Sequence, residues 1–291
     1  MNEREHHPSK STVAQIGAAI EMLADDRGPM QLAARERLLR WGDVAVPQLR
    51  EGAEAEHLRT RTRCRAVLRS IDLQQLVSRF ARLRLERTGR ASAPVLLEGA
   101  VLAAQMVRTF VPEPAQLAAR LRRVASGLQR ECEGRSLPTC ARLLAERLHD
   151  QLGLRGGRPE QVDVEQVLVD RVMRCGLGSP VSLSLIYLLV ARWAGLSAAG
   201  VALPNHFLVR LHGPRPVLLD PFHGGRTITK TDCARYLRSQ GVERVQEHLR
   251  DLTDREVLIH YLRALRRSGA RRSEDEGRAS LDRALSLLEL G

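Results

Sequence analysis

The stretch Gly178–Leu196, GSPVSLSLIYLLVARWAGL, decides the fold. Ser179 has the side chain of an N-cap, and Pro180 suits a first helical position, where its missing N–H costs nothing. From Val181 to Ala194 the chain is almost wholly apolar, which predicts a helix buried on nearly every side. It is too short to span a bilayer. Gly195 ends it as a C′ glycine would. Downstream, the run GVALPNHFLVRL at 200–211 and the run VLLDPFHGG at 217–225 flank a Gly213-Pro214-Arg215-Pro216 turn. They predict a small antiparallel sheet over 200–203, 207–211 and 217–220. His206 then opens one strand and Asp220 closes the next. Those ends are neighbours in a hairpin, as a His–carboxylate hydrogen bond requires.

These residues resemble the transglutaminase-like superfamily in its divergent bacterial SirB-type branch. Four segments carry the resemblance: LLEGA at 96–100, the Gly178–Leu196 run, GVALPNHFLVR at 200–210 and LDPFHGG at 219–225. It covers roughly residues 90 to 265 and implies an α+β fold. That fold is mostly helical, with a papain/transglutaminase-like core of a buried helix packed on a small antiparallel sheet. The resemblance also implies a Cys-His-Asp site, with the thiol at the head of the helix. His206 and Asp220 fall on the matching positions, but Pro180 stands where the thiol belongs. A Tyr-Asp-Pro-Arg-Asn-type segment usual in that branch is missing between Gly153 and Leu168.

A thiol at a helix N-terminus is acidified by the helix dipole and a neighbouring imidazolium; proline offers no such group. The remaining nucleophile candidates are Ser182 and Ser184 in the first turns, and Cys175 in the segment before Pro180. Either serine could face His206 in a Ser-His-Asp arrangement, or could bond back to the backbone. Cys175 is either reactive or a small apolar filler. His223, three residues after Asp220, belongs to the same neighbourhood. A metal held by His206, Asp220 and His223 would need a fourth group, so no metal or other cofactor is expected. Glu98, inside LLEGA, suits a helix surface or a bond between helices.

The 291 residues carry a net charge of +12, with aromatics at only 3%. So few rings favour a core of Leu, Val, Ala and Ile in packed helices. Lys10 and Lys230 are the only lysines, so arginine supplies nearly all 46 basic residues. Without interleaved aromatics or a DNA-binding motif, that arginine excess does not point to nucleic acid. Cys64, Cys132, Cys140, Cys175 and Cys233 form no C-x-x-C pair, which fits reduced thiols in the cytoplasm. Glu3, Arg4, Glu5, His6 and His7 make no apolar targeting segment.

The expected division is a helical part at 1–85, the core at 90–245 and a helical tail at 246–291. The first shows helical periodicity over 12–72 with a break at 26–29, and from Ala33 to Ile71 it resembles a HEAT-like helix pair, with Gly42 ending one helix and Pro47 near the start of the next. One pair cannot bury its own apolar face, so it should lean on the rest of the chain. Loops are expected near 88–94 and 112–114. The tail, with helices at 253–267 and 276–289, resembles a tetratricopeptide remnant, and the charged run 271–276 reads as a solvated connector. Three functions remain open: a non-catalytic peptide- or protein-binding module; a hydrolase or acyl transferase using Ser182, Ser184 or Cys175 with His206 and Asp220; or a helical interaction scaffold. None needs a membrane.

Overall fold

The structure, a computed structural model, describes residues 9–25, 27–85, 92–157, 163–268 and 275–290. The chain divides into two units, Met1–Ser78 and Arg79–Gly291. The first contains α1 (Lys10–Leu23), α2 (Gly28–Trp41), α3 (Val46–Gly52) and most of α4 (Leu58–Ala81). Ile16, Leu23, Leu38, Leu49, Val67 and Ile71 enclose one apolar core. Within this unit, α1 covers the apolar face of the expected helix pair.

The second unit is built around a buried helix. Its helices α5 (Ala93–Val107), α6 (Pro114–Cys132) and α7 (Leu137–Ala145) precede a π-helical turn at Glu146–Gln151. Residues 88–91 of the loop expected near 88–94 lie outside the described residues, and Pro94 already stands in the first turn of α5. A short parallel pair, β1 (Arg155–Gly156) and β2 (Leu177–Gly178), brackets α8 (Val169–Cys175). Then comes α9, Pro180–Trp193, with every residue from Val181 to Arg192 buried. Ser179 caps it by accepting the Ser182 N–H.

The sheet is an antiparallel meander in the order β3-β4-β5-β6: β3 (Ala198–Leu203), β4 (His206–Leu211), β5 (Val217–Asp220) and β6 (Arg226–Ile228). The fold is thus α+β, mostly helical with a small antiparallel sheet. β6 lies outside the expected three strands, because Arg226-Thr227-Ile228 is too short to show a period of two. Helix α9 packs on β3 and β4. On the other face, Val201, Leu203, Leu208 and Leu218 enclose Cys233 and Leu237 of α10 (Lys230–Ser239). Helix α11 spans Val245–His248.

The C-terminal helices, α12 (Asp254–Ser268) and α13 (Asp275–Leu290), pack against α5, and α12 also reaches α9. Of the charged run 271–276, residues 271–274 lie outside the described residues, while Asp275 and Glu276 open α13. Gly277 lets α13 approach α5 closely: a Cβ there would come 2.5 Å from the Met106 carbonyl oxygen. Glu98 of α5 is half-exposed and faces Arg79 at 3.8 Å. No described helix is long and apolar enough to cross a membrane.

One charge is sealed into this core. Arg192, 1% exposed, lies in the last turn of α9. Its Nη1 donates to the Asp254 carboxylate of α12 at 2.9 Å and to the Ser92 hydroxyl at 3.3 Å. Its Nε donates to the Ala198 carbonyl of β3 at 3.1 Å. Asp254 is fully buried. Removing one partner of a buried pair strands the other charge, at a cost of about 3–5 kcal/mol, whereas an apolar replacement of both is often tolerated. Urea titrations of Arg192→Met are expected to show a loss of that size. The Arg192→Met/Asp254→Leu double variant should recover much of it; if the double variant loses the sum of the singles, the pair is not coupled. Two glycines give a second comparison. Gly277→Ala should lower the melting temperature, because a backbone carbonyl stands in its way. Gly17→Ala, inside α1 with nothing within 4 Å of the added methyl, should raise stability by about 0.5–1 kcal/mol.

Candidate ligand groove

The β3–β4 connection is a two-residue turn, Pro204-Asn205, closed by the pair Leu203↔His206. Asn205 has φ +55°, a left-handed conformation that asparagine tolerates better than most residues. Proline followed by such a residue fits a type II turn. It delivers His206 at the first residue of β4, beside the end of β5. The β4–β5 register pairs Val209 with Leu219, so one further step sets Asp220 opposite Leu208 and diagonal to His206 on the same face.

Asp220 is 1% exposed, yet both its oxygens are engaged. Oδ1 bonds the His206 Nε2 at 2.9 Å and accepts the His223 backbone N–H at 3.3 Å. Oδ2 bonds the His223 Nδ1 at 2.6 Å and faces Arg226 at 3.6 Å. An ionised carboxylate only accepts, so both imidazoles donate to it. That leaves the His206 Nδ1 and the His223 Nε2 without protein partners among the described residues. Burial raises the Asp220 pKa, but the hydrogen bonds and charges of His206 and His223 outweigh it and hold the carboxyl below its ordinary 3.8.

Behind this cluster the chain turns at Gly224-Gly225. Gly225 has φ +72°, and a Cβ there would stand 2.8 Å from the Tyr187 hydroxyl and 2.7 Å from the Ala145 methyl. No side chain fits that turn. Donor atoms of His206, Asp220 and His223 all lie within 4.8 Å of one another. The imidazole-to-carboxylate separations are nevertheless those of hydrogen bonds, shorter than the ~3.3 Å between ligands of a tetrahedral zinc with ~2.0–2.1 Å bonds.

The structure brings His206, Asp220 and His223 together and gives the serines other partners. Ser182 is fully buried and donates to the Val167 carbonyl at 2.7 Å, while its oxygen lies 2.8 Å from the Ser179 hydroxyl. Ser184, also fully buried, donates to the Phe207 carbonyl at 2.9 Å. Cys175 is exposed at the end of α8. Among the described residues, no hydrogen bond joins Ser182, Ser184 or Cys175 to His206.

What His206 does face is a groove of about 990 Å³. The head of α9 (Ser179, Pro180 and Val181) opens onto it, as do His206 and His223. Phe222 and Tyr236 pack around the His206 ring, with centroids 5.9 and 6.2 Å away, and the Tyr236 hydroxyl donates to the Pro204 carbonyl at 2.7 Å. The far wall is a stripe of α12: His260, Arg263, Ala264 and Arg267. His260 meets Phe207 edge-on at 5.6 Å, and burial, then the charge of Arg263, lowers its pKa below 6.5. Sequence reasoning missed this wall. Its i, i+3, i+4, i+7 spacing was legible, but only tertiary packing aims the stripe at His206.

Comparison with known proteins agrees with this architecture. The family model described as Transglutaminase-like superfamily matches residues 114–263, from α6 into α12. The UPF0162 protein of Xylella fastidiosa (strain 9a5c) is 40% identical over 103 residues, 35% of this chain and 34% of that protein. F-box only protein 21 of Mus musculus is 33% identical over 104 residues, 33% of this chain and 16% of the mouse protein. The chain thus aligns with about a third of the UPF0162 relative's length and with less of the F-box protein. No solved structure matches it. The matched residues include the α9 head, the His206–Asp220 pair and the β3–β4 hairpin, and the chain belongs to the Transglutaminase-like superfamily.

Proposed function

We propose that this chain is a non-catalytic member of the superfamily that binds a peptide or a protein segment in the groove beside His206. The carrying observation is at the head of α9. The resemblance puts Pro180 where the usual thiol would stand, and the Ser182 and Ser184 hydroxyl protons go to the backbone carbonyls of Val167 and Phe207. A general base accelerates a reaction only when a nucleophile is held near it. His206, oriented by Asp220, is instead a polar fixture in the groove, its Nδ1 able to accept a peptide N–H as the neutral ring or to donate to a carbonyl or carboxylate as the imidazolium. The motifs at 178–196, 200–210 and 219–225 support the SirB-type branch for this chain. Its free cysteines suit a reducing cytoplasm.

The test combines chemistry and binding. Thiol- and serine-directed covalent probes, run beside a panel of acyl and peptide substrates, should give no labelling that depends on His206 and no turnover. Labelling of Cys175, Ser182 or Ser184 that disappears in His206→Ala, together with turnover, would replace this reading with a hydrolase or acyl transferase.

The site also has a pH signature. A carboxyl whose folded pKa is depressed stabilises the fold fully above its ordinary 3.8 and loses that contribution as pH falls through the folded value. Asp220→Asn should therefore melt below wild type at pH 7, with the gap narrowing steadily below about pH 4. A gap independent of pH would mean that ionised Asp220 does not hold the two histidines.

A further inference from the structure

The first strand of the sheet has one open edge. Along β3, alternate residues turn their backbone groups away from β4. The Ser197 carbonyl accepts the His212 N–H at 2.8 Å, so odd-numbered residues face β4 and even-numbered ones face outward. Of the outward carbonyls, that of Ala198 accepts from Arg192 at 3.1 Å, and that of Gly200 accepts the Leu252 N–H at 2.9 Å. The third outward residue is Ala202. Its N–H and C=O have no hydrogen-bond partner among the described residues, and it lines the groove. An unpaired strand edge inside a groove is a template for an extended peptide, which supplies the missing main-chain bonds.

The charges around that edge indicate which peptide. Arg250, Arg263 and Arg267 line the groove, against one lining carboxylate, Glu247, which Arg244 already holds at 3.2 Å. Arg250 pairs with Glu256, and Arg263 pairs with Glu289 at 2.8 Å. Arg267 makes no ion pair among the described residues. Arginine interleaved with glutamate suits isolated carboxylates and works against a continuous phosphate ladder.

We propose that the groove binds an acidic peptide in extended conformation, its backbone paired with Ala202 and its carboxylates set against Arg263 and Arg267. This rests on the peptide-binding reading above and adds the mode and the charge of the ligand. Arg263 and Arg267 lie one turn apart on α12, so side chains of alternate peptide residues can meet them from one face of an added strand.

The experiment uses fluorescein-labelled nonapeptides of alternating valine with glutamate, glutamine or lysine, plus the glutamate peptide N-methylated on alternate residues. Anisotropy is read on the full chain at about 50 mM salt, where screening is weak. The glutamate peptide should bind at least tenfold more tightly than the lysine peptide, and N-methylation on the pairing side should weaken it at least fivefold. The Arg263→Glu/Arg267→Glu variant, with an unchanged circular dichroism spectrum, should reverse the preference toward lysine. Glutamine and glutamate peptides binding equally, with no effect of N-methylation, would overturn this inference and leave the peptide-binding reading standing. Absence of binding by all four peptides would overturn both. Tighter binding of a labelled single-stranded dodecanucleotide, lost in the same double variant, would overturn the peptide assignment in favour of nucleic acid.

Discussion

α9 is enclosed on every side, and its two buried serines find their partners inside the protein, whereas the Tyr187 hydroxyl has none among the described residues. An unpaired buried hydroxyl costs about 1–3 kcal/mol, so the helix cannot hold Ser182 and Ser184 idle for chemistry. The Ser179 hydroxyl meets Ser182, Ser182 bonds the Val167 carbonyl, and Ser184 bonds the Phe207 carbonyl in β4. Those bonds fix the helix head against the strand that carries His206. The enclosure that makes the core stable also removes Ser182 and Ser184 from the groove, leaving Ser179, Pro180 and Val181 at its mouth.

Much of this was readable in the sequence because the decisive signals are local. Serine then proline before an apolar run marks a helix start. A Pro-Asn pair before alternating residues marks a turn, and an Asp-Pro closes the next strand. From those positions the meeting of His206 and Asp220 follows by register alone. The strand β6 gave no comparable signal in three residues, and the cover that α1 gives the helix pair depends on packing within the first unit. Arg192 was hidden for a different reason. A single arginine near the end of an apolar helix normally lies at the surface, and its partner Asp254 is 62 residues away with nothing in the sequence to join them.

In the proposed reading, the groove puts an inherited arrangement to a different end. A histidine held by a carboxylate is useful to an enzyme because it is oriented, and orientation is equally useful for recognition. Here the carboxylate is shared between two imidazoles, which fixes both rings without a third group. The surrounding wall is aromatic on one side and arginine-bearing on the other. Specificity in such a site comes from where the polar groups stand, while Phe222 and Tyr236 provide apolar surface.

The sealed Arg192 also sets an order of events in folding. Its guanidinium gains its hydrogen bonds only when Asp254, the Ala198 carbonyl and Ser92 are all in place, and these come from three separate parts of the chain. Helix α9 and the hairpin can collapse on each other early, since their contacts are close in sequence. The far end of α9 must stay hydrated until α5 and α12 arrive. During synthesis, a chain ended before residue 254 would expose the Arg192 charge beside the apolar surface that α12 covers. The carboxylate on α12 thus acts as a late latch, closing the second unit only once α12 has been made.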